Sequence, residues 1–201
     1  SDSDNRCEIS DVLFGDVFIA AGQSNMAFSL INSVTNIGKS DSTAAEKIKA
    51  DASGDGNIRF FTQQGYRSAI VPLDDVYSGR WSKNTSYSEV SAVSAVAYFY
   101  AVNLYKELGE SIPVAIIQSA RSGSDIRAWM PEETYKSVCG DLTDFERSNY
   151  NHGNIRVGCW NAQVAPLSAQ KIKGVLWYQG EGNQSQYNEY KNWFAEMTKA
   201  W

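Results

Sequence analysis

The sequence predicts an α/β fold built on a parallel sheet, and three stretches carry that prediction. Pro113-Val114-Ala115-Ile116-Ile117-Gln118 is a continuous apolar run, suited to a strand covered on both faces. Ahead of it, Ser91 to Leu108 brings back Val93, Val96, Ala97, Tyr100, Leu104 and Leu108 at spacings of three and four. Gly109 then supplies a helix stop. Asn57-Ile58-Arg59-Phe60-Phe61-Thr62 alternates and is rich in β-formers. Strand, helix and strand in that order make a βαβ unit, whose right-handed crossover leaves the strands parallel.

The remaining elements follow in order. Residues 1–10 read as a tail or the end of a preceding element, and 11–201 as one domain without a linker. Val17-Phe18-Ile19-Ala20-Ala21 is a short apolar strand that stops at Gly22. Asn32 to Gly56 is rich in Ser, Thr, Asn, Asp and Gly and reads mostly as loop, with a short helix over Ser42–Ala50. Residues 63–90 hold no sustained period, and Trp81 reads as a packing residue there. Residues 132–153 are polar and contain the only histidine, His152, read as a surface or loop residue. Asn154 to Leu167 is expected to be partly helical. Lys173–Tyr178 is expected as a further buried strand, and Tyr187 to Trp201 as an amphipathic helix through Tyr190, Phe194, Met197 and Trp201.

Composition removes several function classes. With 18 Lys and Arg against 23 Asp and Glu, the net charge of −5 and the lack of a basic run argue against a nucleic-acid partner. No apolar stretch has the length of a membrane span, and the polar opening Ser1–Arg6 does not resemble a signal peptide. One histidine and three cysteines without a Cys-x-x-Cys pair argue against a metal site, and no cofactor is implied. Cys139 and Cys159 bracket a loop-like segment and could form a disulfide, leaving Cys7 over. Asn84 and Asn183 head glycosylation sequons, of which only Asn84 stands clear of a motif.

The chemistry centres on Gly22-Gln23-Ser24-Asn25-Met26. A serine at the carboxyl end of a strand, on the turn into the next element, is either a helix cap or an exposed nucleophile for acyl transfer. Met26 rules out the Gly-x-Ser-x-Gly elbow of the α/β-hydrolases. The block Asp11 to Met26 resembles the opening block of the sialate O-acetylesterase family, a branch of the SGNH hydrolases. Gly174-Val175-Leu176-Trp177-Tyr178-Gln179-Gly180-Glu181-Gly182-Asn183 is similar to that family's Trp-Tyr-Gln-Gly-Glu-Ser-Asn signature. Between them, Ser119 to Pro131 resembles Ser-x-Gly-Gly-Thr-x-Ile-x-Ala-Trp-Met, with Gly123 on the second glycine and Ser122 in place of the first.

The resemblance implies a three-layer αβα fold of the SGNH or flavodoxin-like kind, and a serine esterase removing O-acetyl groups from sugars, sialic acid foremost. It implies Ser24 as nucleophile and an oxyanion hole from Ser24, Gly123 and Gln179, with Glu181 as a buried brace. Arg121, Arg127 and Asn183 are candidate substrate contacts, the arginines through a sialate carboxylate. The family's base lies in an Asp-x-x-His-Pro block after the Trp-Tyr-Gln-Gly-Glu block, and no such block occurs in this sequence. The expectation is therefore a fold incomplete at its C-terminus, with the base His and its Asp supplied by a C-terminal chain or segment. A secreted, lysosomal or periplasmic setting follows from the resemblance. An acetylxylan-type esterase and an inactive carbohydrate-binding homologue are the alternative readings.

Overall fold

The computed structural model describes residues 7–64, 68–143 and 156–201. Five strands form one sheet in the order β3-β2-β4-β1-β5: β1 (Asp16–Gly22), β2 (Ile58–Gln63), β3 (Gly79–Lys83), β4 (Val114–Ala120) and β5 (Gly174–Tyr178). Neighbours among β2, β4, β1 and β5 are parallel, so their carboxyl ends share one rim. The sheet is mixed rather than purely parallel, because β3 pairs antiparallel with β2, Phe61 opposite Trp81. The segment Gly79-Arg80-Trp81-Ser82-Lys83 is too short and too charged to stand out as a strand, yet it needs only one neighbour to form. Trp81 packs on Phe61 with ring centroids 5.2 Å apart while staying 56% exposed.

Strand alternation divides the apolar residues into two cores, one on each face. Phe18, Ala20, Phe60, Val114 and Ile116 pack under Met26, Leu30, Val34, Ala97, Tyr98 and Ala101. Ile19, Ala21 and Ile117 face Trp129, Tyr135, Val164, Leu167, Trp193 and Met197. The first core is roofed by α1 (Ser24–Ala27), α2 (Leu30–Gly38), α3 (Ser42–Asp51), α4 (Tyr87–Val90) and α5 (Ala95–Glu107). The second is roofed by α6 (Glu132–Cys139), a π-helical turn at Trp160–Val164 and α7 (Tyr187–Ala200). This is the three-layer αβα arrangement, and no helix among the described residues is long and apolar enough to cross a membrane.

Several elements differ from their sequence reading, each for a local reason. α2 and α3 occupy most of the stretch read as loop. Polar α2 residues have poor intrinsic helix propensity, but Leu30 and Val34, one turn apart, are 0% and 2% exposed, and that burial decides. α5 starts at Ala95 because Ser94 caps it, its Oγ accepting the Ala97 N–H at 3.1 Å. α6 begins behind Pro131 with Glu132 and Glu133 in its first turn, a start signal buried in polar sequence. β5 is an edge strand, with Val175 and Tyr178 38% and 45% exposed, not a buried one. Asp11, the first residue of the domain as read from the sequence, is tied to the sheet: its carboxylate pairs with Arg59 at 2.6 Å and with Lys83.

No disulfide joins Cys139 to Cys159. Cys159 is fully buried against the Arg121 guanidinium; burial pushes its thiol up to about 12, outweighing the cation's opposite pull. Cys139 ends α6 on the side of Arg127. The sequon residue Asn84 is 4% exposed and Asn183 1%, so the fold encloses both amides that a glycan would need.

Trp129 is the largest fully buried side chain and lies edge-on to Trp177 at 5.7 Å, with Trp201 6.4 Å away. Its indole N–H donates to Ser124 Oγ at 2.9 Å. Trp129→Ala should cost about 3–5 kcal/mol of unfolding free energy, read as a lower urea midpoint at unchanged slope.

Candidate active site

Chain connections leave β1 and β4, neighbours in the sheet, toward opposite faces: β1 continues into α2 and α3, β4 into α6. The crevice outside two such strand ends is where open α/β sheets bind ligands. The turn after β1 carries Ser24 and the turn after β4 carries Gly123. The turn after β5 carries Gln179 to Asn183.

Gly22 ends β1 at φ +144°, where a Cβ would stand 2.0 Å from the Tyr178 carbonyl oxygen, so only glycine lets β1 and β5 close up here. Gln23 N–H then donates to that same oxygen at 3.0 Å, and Arg121 N–H donates to Gly22 O at 2.9 Å. Ser24 follows as the first residue of α1, exposed, beside the buried Gln23. Gly123 is exposed at φ +71° in the turn closed by Ser124 N–H on Arg121 O at 3.3 Å.

Side chains bind the turns to one another. Gln23 Oε1 accepts the N–H groups of Gly180 at 3.3 Å and Gly182 at 3.0 Å. Asn25 Nδ2 donates to Glu181, which is exposed rather than buried but does brace the loop. Gln179 Nε2 donates to Ser124 O at 3.0 Å and to Asn183 Oδ1 at 2.7 Å. Asn183 Oδ1 also accepts the Ile126 N–H at 3.0 Å. Tyr190, on α7, shares its hydroxyl hydrogen between Gln179 O at 3.1 Å and Oε1 at 2.9 Å. The sequence thus brings Ser24, Gly123 and Gln179 to one rim, as expected, through contacts it did not advertise.

The other candidate residues take different parts. Both amide hydrogens of Gln179 are engaged within the loops, so it braces them and has none left for an oxyanion. Asn183 is 1% exposed and fills the same bracing role, away from any substrate surface. Arg121 is 7% exposed, its Nη1 bound to Ser68 and its guanidinium against Cys159. Arg127 grips Asp125 in two parallel bonds, Nε to Oδ1 at 2.9 Å and Nη2 to Oδ2 at 2.6 Å, and lies 4.5 Å over the Trp193 ring. Neither arginine offers its fork to a carboxylate ligand in this arrangement.

Asp125 is the residue that sequence reading missed. It is 6% exposed, accepts the Arg127 N–H at 2.8 Å and forms an ion pair with Arg156 Nη1 3.0 Å away. Burial pushes its carboxyl up, yet the Arg127 bonds and the Arg156 charge outweigh that and hold it below the ordinary carboxylate range. Its Asp-x-Arg spacing right after the Gly123 turn was the available signal. His152 lies outside the described residues.

Residues 14–201 match the family of carbohydrate esterases described as sialic acid-specific acetylesterases. The chain belongs to that family. It is 28% identical over 202 residues to the human sialate O-acetylesterase and 29% identical over 228 residues to the mouse enzyme, each match covering 96% of this chain. A solved carbohydrate acetylesterase from Xanthomonas citri superposes with a TM-score of 0.71 at 27% identity over 92% of this chain. The chain spans 36% and 40% of the length of those two relatives and 38% of that solved chain.

Two outcomes follow for the loops. Gln23→Met removes the acceptor of two loop N–H groups and should cost about 1–3 kcal/mol of unfolding free energy, read as a lower urea midpoint at unchanged slope. Asp125, with its pKa depressed in the fold, adds stability above the unfolded carboxyl pKa and loses it as pH falls through the folded value. Asp125→Asn should therefore flatten the acid side of the stability–pH curve and leave its shape above neutrality unchanged.

Proposed function

We propose that this chain is the nucleophile-bearing part of a serine esterase that removes O-acetyl groups from sugars, with O-acetylated sialic acid as the first substrate class. The observation that carries the reading is the junction of turns around an exposed Ser24, fixed by Gln23 and by the β1–β4 strand ends.

In this mechanism the Ser24 hydroxyl attacks the acetyl carbonyl as its proton passes to a base, and the carbonyl oxygen becomes an oxyanion. The backbone N–H groups of Ser24 and Gly123 are the donors for that charge, each worth roughly 3 kcal/mol of barrier. Collapse expels the sugar alkoxide, which takes the proton back from the base. Water then attacks the acetyl-enzyme by the same route, releasing acetate and freeing Ser24.

The base His and its Asp are assigned to a C-terminal segment beyond these residues rather than to His152. Two features support this: the relatives are far longer than the matched region, and β5 leaves an open edge beside the half-exposed Phe194. A strand-bearing segment laid along that edge would bring its own loops to the rim that holds Ser24.

Acetate release from O-acetylated sialic acid by the full-length protein tests the reading. Ser24→Ala should lower kcat about 10³-fold or more, while His152→Ala leaves it within a factor of two of wild type. Equal rates for wild type and Ser24→Ala would overturn the esterase reading and leave a carbohydrate-binding homologue. Loss of turnover in His152→Ala would place the base in this chain.

A further inference from the structure

Away from the Ser24 rim, α3 runs out at Asp51 into Ala52-Ser53-Gly54-Asp55-Gly56-Asn57, and β2 begins at Ile58. Oxygen-bearing side chains occupy every second position: Asp51, Ser53, Asp55 and Asn57. Gly56 has φ +82°, and Ile58 after it is 3% exposed. Helix-borne calcium loops use the same order, with oxygen side chains at the first, third and fifth positions, a glycine at the sixth and a backbone carbonyl at the seventh. Counted from Asp51, the glycine falls on Gly56 and the carbonyl on Asn57.

Spacing alone does not make a site, but the residues beneath the loop supply an independent observation. Asn84 is 4% exposed, and its Oδ1 is buried with no hydrogen-bond partner among the described residues. Its amide is pressed against the loop: a Cβ on Gly54 would stand 2.9 Å from Nδ2 and 3.6 Å from Cγ. The Asn84 backbone carbonyl takes the Gly54 N–H at 2.9 Å, fixing the two segments together. Tyr98, 2% exposed, holds a second buried oxygen without a partner among the described residues. Burial, then the charge of Asp51, pushes its phenol up, so this oxygen lies within the field of the loop's first carboxylate. Two orphaned oxygens by one loop call for something that satisfies them, and a hydrated cation does.

We propose that the Asp51–Asn57 loop binds a calcium ion, with Asp51, Ser53, Asp55 and the Asn84 side-chain oxygen as donors and bound water reaching Tyr98. No three His, Cys, Asp or Glu side chains converge among the described residues, so the donor set has two carboxylates and otherwise neutral oxygens. Hard, flexible oxygen coordination of that kind suits calcium and not zinc. The twelfth position is Thr62 where the strongest loops have glutamate, which sets affinity at about 10⁻⁴–10⁻³ M, the range of extracellular modules. Existing contacts yield readily. The Lys47–Asp51 pair, at 2.9 Å, is solvent-exposed and weak. Asp55 binds Asn57 N–H and Tyr105 Oη, both at 2.9 Å, and keeps further lone pairs.

The test needs no esterase activity, so its failure is separate from that of the esterase reading. After treatment with EGTA, the chain is titrated with calcium and followed by melting temperature, and with terbium followed by tyrosine-sensitised luminescence. The melting temperature should rise saturably by about 5 °C at roughly 10 mM calcium, with less effect from magnesium. Asp51→Asn and Asp55→Asn, both checked for native circular dichroism, should abolish the rise and the terbium signal. If Asp55→Asn fails to fold, Asp51→Asn at its exposed helix end decides alone. No saturable response, or one that survives these substitutions, overturns the proposal.

Discussion

The structure around Ser24 depends on one carbonyl oxygen. Gln23 Oε1 sits in a 4% exposed side chain and accepts two N–H groups from a turn more than 150 residues away in the chain. An amide so buried would be costly without partners, and so would the two loop N–H groups. Each therefore determines where the other must be. The parallel register makes the contact geometrically available, since Gly22 is paired with Ala120 on one side and Tyr178 on the other. With three strand ends level, a single side-chain length bridges their turns.

That dependence explains what the sequence made legible. Strands β1, β4 and β5 are visible as apolar runs because a strand between two helical layers needs both faces apolar. The site turns are visible because their Gly, Ser, Gln and Asn residues stand in blocks that resemble those of the family. What stayed hidden was structure set by distant partners. α2 has Asn32, Ser33, Thr35 and Asn36 in its interior and is helical because Leu30 and Val34 are drawn under the sheet. β3 exists because β2 offers an edge. Local propensity contains neither fact.

The arginines teach the same lesson for function. A cation beside a motif invites assignment to an anionic substrate, and Arg127 sits four residues after Gly123. Burying Asp125 behind the same turn creates a nearer claim, because an enclosed carboxylate without a counter-charge would cost several kcal/mol. The Asp125 carboxylate takes both the fork of Arg127 and a contact with Arg156, and the Trp193 ring covers one face of the Arg127 guanidinium. Charge near a site thus has to be balanced against charge inside it before a substrate contact is assigned.

The two edges of the sheet extend this argument to assembly. β3 is protected in the manner of free edges: it is short, antiparallel, and bears Arg80 and Lys83, with Arg80 3.6 Å from Glu89 and Lys83 tied to Asp11. β5 carries no charge between Gly174 and Tyr178, and Val175 shares an apolar hollow with Trp177, Phe194, Met197 and Trp201. An edge with alternating N–H and carbonyl groups above an apolar hollow is suited to another strand, whereas the β3 edge opposes one. The two edges of the sheet thus differ in charge and in the surface beside them. A strand paired parallel to β5 would end at the rim where Ser24 stands.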